Sequence, residues 1–239
     1  MSMLEVEGLS YNYPDGHRAL HGVSLRVEEH EKVALVGANG SGKSTLLLHL
    51  AGALRVQEGR VSFMGREGQE VLRRNVGLTF QDSDDQLLMP SVLEDAAFSL
   101  VAQGMSRREA HERAHKILES LGIGHLAERP PHKLSGGEKR IVSFAGVLTS
   151  EPEVLVLDEP SAALDPRARR RVIEFLRKSK HTIILATHDL DMALDVCERA
   201  MILSEGRVKR EGVLPELFMK REVLEDNGLE LPLRYSGVW

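Results

Sequence analysis

The chain contains 239 residues, with 31 Lys and Arg against 36 Asp and Glu, which gives a formal net charge of −5. This length suits one domain with a subdomain and excludes a large multidomain machine. The acidic balance argues against a nucleic-acid partner, and no apolar run approaches the roughly 18 residues that span a bilayer. With one cysteine, Cys197, and no signal-peptide pattern around Glu5 and Glu7, we expect a cytosolic protein.

The first half of the chain predicts short strands followed by helices. Apolar stretches separated by turn residues predict strands at 4–9, 23–27, 33–36, 61–64 and 76–80. Leucines 46, 47, 50 and 54 follow helical spacing, which predicts a helix over 44–54. Further helices are predicted over 92–102 and 106–121, the second with Ser106 as its N-cap residue.

The second half alternates strands with helices. A helix is predicted over 138–148 after the loop that contains Pro130 and Pro131. Continuous apolar runs at 154–157 and 182–186 are typical of strands buried on both faces, with a helix over 166–178 between them and a further strand at 201–203. This order predicts an α/β fold with a parallel sheet, in which a core of 1–81 and 150–239 encloses a helical subdomain at about 82–149.

Residues 37–44, GANGSGKS, match the P-loop pattern between a predicted strand and a predicted helix. The glycines let backbone N–H groups converge on phosphate oxygens, Lys43 adds charge, and the Ser44 hydroxyl can bind Mg²⁺. A glycine-rich turn with an incidental lysine is the alternative, and the flanking elements argue against it. The predicted nucleotide-binding residues are Gly37, Asn39, Gly40, Ser41, Gly42, Lys43, Ser44 and Thr45.

Two acids follow the apolar run 154–157. A carboxylate at the C-terminal end of a parallel strand faces the ligand crevice, so Asp158 is predicted to hold Mg²⁺ through its waters. Glu159 is then placed to polarise an attacking water as a general base. The alternative is a solvated acidic turn, which is less favoured in a chain that already carries a P-loop.

A third motif, LSGGE at 134–138, lies between the P-loop and the two acids. With it, the sequence resembles the ATP-binding-cassette (ABC) family, whose signature is LSGG. The resemblance covers nearly the whole chain and implies one cassette over 1–239, with a mostly parallel sheet, N-terminal antiparallel strands and a helical subdomain. It also implies ATP hydrolysis with Mg²⁺. The signature residues are Leu134, Ser135, Gly136, Gly137 and Glu138.

The resemblance assigns four further positions. Gln81 matches the Q-loop glutamine, which reaches Mg²⁺ or the attacking water, and His188 matches the switch histidine, which bonds the γ-phosphate. Tyr13 matches the aromatic residue that stacks on adenine, and Tyr11, on the same strand face, is an alternative. The D-loop residues are Ser161, Leu164 and Asp165. The implied Mg²⁺ ligands are Ser44, Gln81 and Asp158, and the implied catalytic residues are Glu159, His188 and Gln81.

The signature also has a quaternary implication. As the resemblance implies, a single cassette cannot aim its signature at the nucleotide on its own P-loop, so two chains meet head to tail. ATP then lies between the P-loop of one chain and the signature of the other, and Asp165 crosses the interface. The second chain is either identical or a paralogous ABC ATPase.

The segment after Gln81, DSDDQLL, resembles the Q-loop of the energy-coupling-factor importers, especially the cobalt and nickel uptake ATPases. Ser83 replaces a proline of that pattern, and Ala163 stands where glycine is common in the D-loop. The resemblance implies import of a metal ion or vitamin at the cytoplasmic face of the membrane, with integral membrane coupling and substrate-binding subunits. An exporter ATPase is an alternative, as is a soluble switch on DNA or ribosomes, whose usual coiled-coil insertion is missing.

A stretch after this segment is a candidate docking surface. Leu88, Val92, Ala96 and Leu100 recur at helical spacing. We interpret them as a groove for a short helix of a membrane subunit. The alternative is that these side chains form ordinary helix core.

Overall fold

The computed structural model describes residues 2–80, 82, 86–162 and 164–236. Gln81, Ser83 and Ala163, to which the sequence analysis gave roles, lie outside these residues. The described residues form ten strands: β1 (Ser2–Asn12), β2 (Arg18–Glu28), β3 (Lys32–Val36), β4 (Glu58–Phe63), β5 (Arg66–Glu67), β6 (Val76–Thr79), β7 (Val154–Asp158), β8 (Thr182–Ala186), β9 (Arg199–Ser204) and β10 (Arg207–Val213).

Nine α-helices occur in the same described residues. They are α1 (Lys43–Leu50), α2 (Gln69–Asn75), α3 (Val92–Ala102), α4 (Arg107–Ser120), α5 (Gly136–Thr149), α6 (Pro166–Lys178), α7 (Leu190–Val196), α8 (Arg221–Glu225) and α9 (Leu233–Ser236). In this part of the chain, no helix has both the length and the apolar character that a membrane span requires.

The strands form two sheets. The first has the order β2-β1-β4-β5, and β1 runs antiparallel to both β2 and β4. The second has the order β10-β9-β3-β8-β7-β6. In it, β3 is parallel to β8 and β9, and β7 is parallel to β8, whereas β10 is antiparallel. The predicted α/β class is therefore confirmed, and the C-terminal ends of β3, β7 and β8 meet at one sheet edge.

The chain divides into two compact units. Unit 1 comprises residues up to 78, residues 153–159 and residues from 179 onward, and unit 2 comprises residues 79–152 and 160–178. In unit 1, apolar side chains from both sheets and from α1 form one continuous core. Fully buried members of this core include Leu4, Leu35, Leu46, Val156 and Met201. This core fixes α1, which follows the P-loop, against the strand ends.

Helices α3, α4, α5 and α6 build unit 2. Small buried residues, among them Ala96, Ala110 and Ala114, let α3 and α4 approach closely. The rings of Phe144 on α5 and Phe175 on α6 meet edge to face with centroids 5.4 Å apart. Helix α6 thus packs within unit 2, whereas the sequence analysis grouped it with the core, because the sequence does not show where the apolar side of an amphipathic helix docks.

The predicted groove of Leu88, Val92, Ala96 and Leu100 is wrong for three of its four members. Val92, Ala96 and Leu100 are buried in unit 2, as the alternative interpretation of helix core required. Leu88 is the exception, because 72% of it is exposed, and the large apolar side chains exposed on α3 are those of Phe98 and Val101. The periodicity identified the covered side of the helix rather than a free surface.

The helix predicted over 44–54 ends earlier, at Leu50. Gly52 has φ 67°, a left-handed conformation that glycine adopts without steric cost, and the Ala53 amide donates to the Leu48 carbonyl at 2.8 Å. The elements β5, α2, α7, α8, α9 and β10 were not predicted. Strand β10 is mostly exposed and carries no alternating apolar pattern.

An ion-pair network ties the start of β9 to its neighbours. Arg199 donates from Nε and Nη2 to the two oxygens of Glu31 at 2.7 and 3.0 Å, and it also contacts Glu211 and the Arg26 carbonyl. Partial burial acts to raise the pKa of Glu31, but its hydrogen bonds with Arg199 and the Glu28 amide outweigh this and lower the pKa below the ordinary value.

We predict that Glu31→Gln lowers the free energy of unfolding by about 1–2 kcal/mol at pH 7, because Arg199 loses its charged partner. Urea denaturation measures the change. The pKa of Glu31 is lower in the folded state than in the unfolded state. Its contribution to the free energy of unfolding is therefore complete above the pKa of the unfolded state, and it is lost as pH falls through the pKa of the folded state. The control is Glu70→Gln, which removes an exposed i,i+4 pair with Arg74 and should change stability by less than about 0.5 kcal/mol. Equal effects of the two changes would contradict the stabilising role assigned to the Glu31–Arg199 ion pair.

Candidate nucleotide site

The P-loop joins β3 to α1 through a turn that only glycine can form at several positions. Gly40 and Gly42 have φ 77° and 104°, in the left-handed region. At Gly37, a Cβ atom would lie 2.1 Å from the Leu203 carbonyl oxygen, so a side chain cannot be accommodated. The turn therefore brings the backbone to the N-terminus of α1, where free N–H groups attract anions.

Lys43 is a buried cation in this turn. Its Nζ donates to the carbonyls of Gly37 and Ala38 at 2.7 and 3.0 Å. Burial lowers the pKa of Lys43, and the negative charges of Asp158 and Glu159 act in the opposite direction.

A buried hydroxyl lies in the same turn. Ser41 Oγ has no hydrogen-bond partner among the residues that the structure describes. A buried hydroxyl without a partner is costly, and a buried ammonium is stabilised by a bound anion. The donors of the turn, including Lys43, therefore fit a phosphate group.

The two predicted acids end β7 and are both buried. Asp158 is in register with Ala186 of β8. Glu159 has φ 48°, an unfavourable conformation for a residue with a Cβ atom. Its amide donates to the Ala186 carbonyl at 2.9 Å. This register brings Glu159 beside the residues that follow β8.

The Glu159 carboxylate is held by two neighbours. Thr187 Oγ1 donates to Oε2 at 3.0 Å, and the His188 amide donates to Oε1 at 2.9 Å. His188 Nδ1 lies 2.8 Å from the same Oε1. The His188 side chain is 69% exposed and that of Glu159 only 8%. The structure thus brings Glu159 and His188 together at the ends of β7 and β8.

Thr187 is a further residue at this site, and the sequence did not predict it. It is fully buried directly after β8, and besides donating to Glu159 its Oγ1 accepts a bond from the Asp189 amide at 2.9 Å. Asp189 in turn caps α7 by accepting from the Met192 amide at 2.9 Å. The available signal was a small polar residue immediately after a buried parallel strand, at the edge where the other candidates lie.

Tyr11 and Tyr13 occupy different environments. Tyr11 is buried in the core of unit 1, and Tyr13 is half-buried after the end of β1. The Tyr13 hydroxyl lies 3.0 Å from Thr45 Oγ1 on α1. The two rings meet edge to face with centroids 5.0 Å apart. Of the two, Tyr13 has the more accessible ring.

The signature and D-loop residues belong to unit 2. Ser135 caps α5, because its Oγ accepts from the Glu138 amide at 3.3 Å, and Glu138 Oε2 accepts from the Ser135 amide and hydroxyl at 2.8 Å each. These bonds lower the pKa of Glu138. Asp165 Oδ1 accepts from the amides of Arg167 and Ala168 at 2.7 and 2.9 Å, at the start of α6. Leu134 is buried, and Ser161 and Leu164 are half-buried.

The fold and the site together define a class. A P-loop with a buried lysine follows one strand of a parallel sheet, and two acids follow another strand of that sheet. This arrangement defines a P-loop nucleoside triphosphatase.

Comparisons with known proteins identify the family. The family model described as ABC transporter matches residues 20–162. The chain is 42% identical over 237 residues to EcfA of Carboxydothermus hydrogenoformans, an energy-coupling factor transporter ATP-binding protein, with 96% of this chain and 87% of that protein covered. The chain therefore belongs to the ABC transporter family, as an ATP-binding subunit and ATP hydrolase.

Two solved structures resemble the chain. One is cbiO1 from Clostridium perfringens, described as part of the ABC transporter complex cbiONQ, with a TM-score of 0.80, 38% identity, and 99% of this chain and 97% of that chain covered. The other is the ATP-binding cassette MJ0796, solved as a dimer in a post-hydrolysis state with ADP and Pi. Its TM-score is 0.81 at 28% identity, with 89% of this chain and 99% of that chain covered.

We predict that Thr187→Val lowers kcat for ATP hydrolysis on the order of 10-fold and leaves the Kd of ATP unchanged, because the hydroxyl aligns Glu159. Steady-state turnover and calorimetry measure the two quantities. Thr187→Ser keeps the hydroxyl and should retain wild-type kcat. The same loss of kcat in both variants would show that the packing of Thr187 matters and its hydroxyl does not.

Proposed function

We propose that this subunit powers the import of a small solute of the class of cobalt, nickel or a vitamin, through membrane partners at the cytoplasmic face of the membrane. The similarity to EcfA, an energy-coupling factor transporter ATP-binding protein, and to cbiO1, part of the transporter complex cbiONQ, supports a role in a transporter of this kind. The segment from Asp82 to Leu88, which resembles the Q-loop of such importers, supports it independently. We take residues 1–239 as one cassette, with the helical subdomain supplying the signature.

The P-loop and its neighbours bind the nucleotide in this proposal. Lys43, Ser41 and the N-terminal amides of α1 contact the phosphates, and Tyr13 rather than Tyr11 stacks on adenine. Ser44, exposed at the start of α1, and Asp158 offer the hard oxygen ligands that Mg²⁺ prefers, together with Gln81. Bound Mg²⁺ neutralises phosphate charge.

Glu159 is the general base. The Thr187 hydroxyl and the His188 amide keep its carboxylate aligned, whereas the exposed His188 imidazole is free to turn. We propose that His188 moves from Glu159 to the γ-phosphate when ATP binds. Glu159 Oε1 then accepts a proton from the water that attacks the γ-phosphorus, while the bond from that phosphorus to the β,γ-bridging oxygen breaks and ADP leaves.

Two cassettes complete each site. Ser135 and Gly136 are exposed at the N-terminus of α5, which is a second anion-binding helix start. The dimeric MJ0796 cassette supports pairing of two such chains. In this proposal ATP lies between the P-loop of one chain and the signature of the other, Asp165 links the two sites, and the partner is an identical or a paralogous chain. Binding closes the pair, and hydrolysis opens it.

We predict that Glu159→Gln slows hydrolysis at least ~10²-fold and traps an ATP-dependent dimer, because the base is lost and its size is kept. Sedimentation with ATP measures pairing. Adding Ser135→Arg should abolish the dimer, since its bulk occupies the phosphate-facing helix start.

The matched control is Ser106→Arg, at the similarly exposed cap of α4, where Ser106 Oγ accepts from the Glu109 amide at 3.3 Å. This control should still dimerise in the Glu159→Gln background. Dimers in the Ser135→Arg variant would contradict the composite site.

Leu88 is the candidate contact for a membrane subunit. Its side chain is exposed, and Asp95 Oδ1 accepts from the amides of Leu88 and Met89 at 2.9 and 3.0 Å, so the loop is held in place. A fixed, exposed apolar side chain suits burial against an apolar helix.

We predict that Leu88→Asp abolishes copurification with the membrane subunits and leaves ATP affinity unchanged. Pull-down from native membranes with identification of the bound proteins tests this. The control is Val213→Asp, a 60% exposed apolar residue of unit 1, which should keep the partners. Retained partners in Leu88→Asp would exclude Leu88 as the contact.

A further inference from the structure

His49, on α1, is a fully buried titratable residue that the hydrolysis mechanism does not use. Its Nδ1 lies 2.8 Å from the Thr45 carbonyl oxygen. Because a carbonyl only accepts hydrogen bonds, Nδ1 carries the proton. Burial lowers the pKa of the ring, and its contacts with the backbone of Thr45 and Arg55 act in the opposite direction. A buried imidazole bonded through Nδ1 therefore lies on α1, shortly after the P-loop.

The His49 ring belongs to a closed circuit of contacts. It meets the Tyr11 ring edge to face, with centroids 4.7 Å apart. Tyr11 meets Tyr13 in the same manner at 5.0 Å, and the Tyr13 hydroxyl returns to Thr45 Oγ1 at 3.0 Å. The hydrogen bond from His49 to the Thr45 carbonyl closes the circuit. Strand β1 and the residues just after it supply two of the members, and α1 supplies the other two.

We propose that His49, through Tyr11, is a positioning residue that sets the place of the Tyr13 ring relative to the P-loop and so tunes binding of the adenine base. This inference rests on the proposed role of Tyr13 as the adenine platform. The ligand class is an adenine nucleotide, and His49 itself touches neither base nor phosphate.

The separation between the Tyr13 ring and the N-terminus of α1 matters, because one nucleotide contacts both in the proposed site. One nucleotide must reach the Tyr13 ring with its base and the N-terminus of α1 with its phosphates. Tyr13 is half-buried just after β1, and besides the Thr45 hydroxyl its ring contacts Tyr11 and, at a centroid distance of 6.5 Å, His17. The Tyr11 ring in turn meets the edge of His49, whose Nδ1–H is bonded to the Thr45 carbonyl. Leucine at position 49 would fill space without this orientation.

The test separates base binding from phosphate binding. Calorimetry measures Kd for ADP and for pyrophosphate in the wild type and in His49→Leu, Tyr11→Leu and Tyr13→Ala. We expect His49→Leu and Tyr11→Leu to weaken ADP binding about 2- to 12-fold, the range of one aromatic contact. Pyrophosphate binding should change less than about twofold. Leu50→Val, at the next buried position of α1, should leave both values near wild type.

Each outcome decides between the explanations. Tyr13→Ala tests the platform itself: if it leaves the ADP-to-pyrophosphate ratio unchanged, the proposed role of Tyr13 fails. If Tyr13→Ala lowers that ratio but both leucine variants keep it, the platform stands and the inference on His49 is overturned. Equal weakening of ADP and pyrophosphate would show distortion of α1 and would also overturn it. Tyr11→Leu disrupts the same contacts from the β1 side, so it still tests the inference if His49→Leu does not fold.

Discussion

The buried ammonium of Lys43 is the interaction on which the site depends. Burial makes the charged form costly, and the two P-loop carbonyls together with the fields of Asp158 and Glu159 compensate only in part, since the pKa remains lowered. A phosphate supplies the missing negative charge. The phosphate site is therefore preorganised, because the glycine turn and the core around α1 hold Lys43 in place before any ligand binds.

The parallel sheet also positions the Glu159 carboxylate at this edge. Register between β7 and β8 makes Glu159 and Thr187 neighbours, although 28 residues separate them along the chain. The Thr187 hydroxyl and the His188 amide that bond the carboxylate directly follow β8, whereas the imidazole of His188, which also bonds it, is 69% exposed. A fixed carboxylate beside an exposed imidazole suits the proposed roles of Glu159 as base and His188 as phosphate sensor.

Local patterns and long-range contacts explain what the sequence could predict. The P-loop and the two acids were predictable, because their chemistry lies in adjacent residues. Thr187 was not, since its role depends on Glu159. Strand β10 carries little apolar pattern and exists through its pairing with β9. The spacing of Val92, Ala96 and Leu100 marked an apolar helix side correctly, but a single sequence does not show whether protein already covers it.

The hydrogen bonds between Ser135 and Glu138 at the start of α5 oppose the phosphate binding that we propose there. Ser135 and Glu138 satisfy each other at the start of α5, so the helix end is ordered without a phosphate. For Ser135 to donate to a phosphate, its hydroxyl must leave Glu138, and the lowered pKa keeps that carboxylate charged beside the arriving anion. In the proposed dimer both effects oppose closure, and exposure of Glu138 to solvent screens the repulsion. Closure of that dimer would then depend on the full charge of a triphosphate on the opposing P-loop, so hydrolysis would weaken the interface.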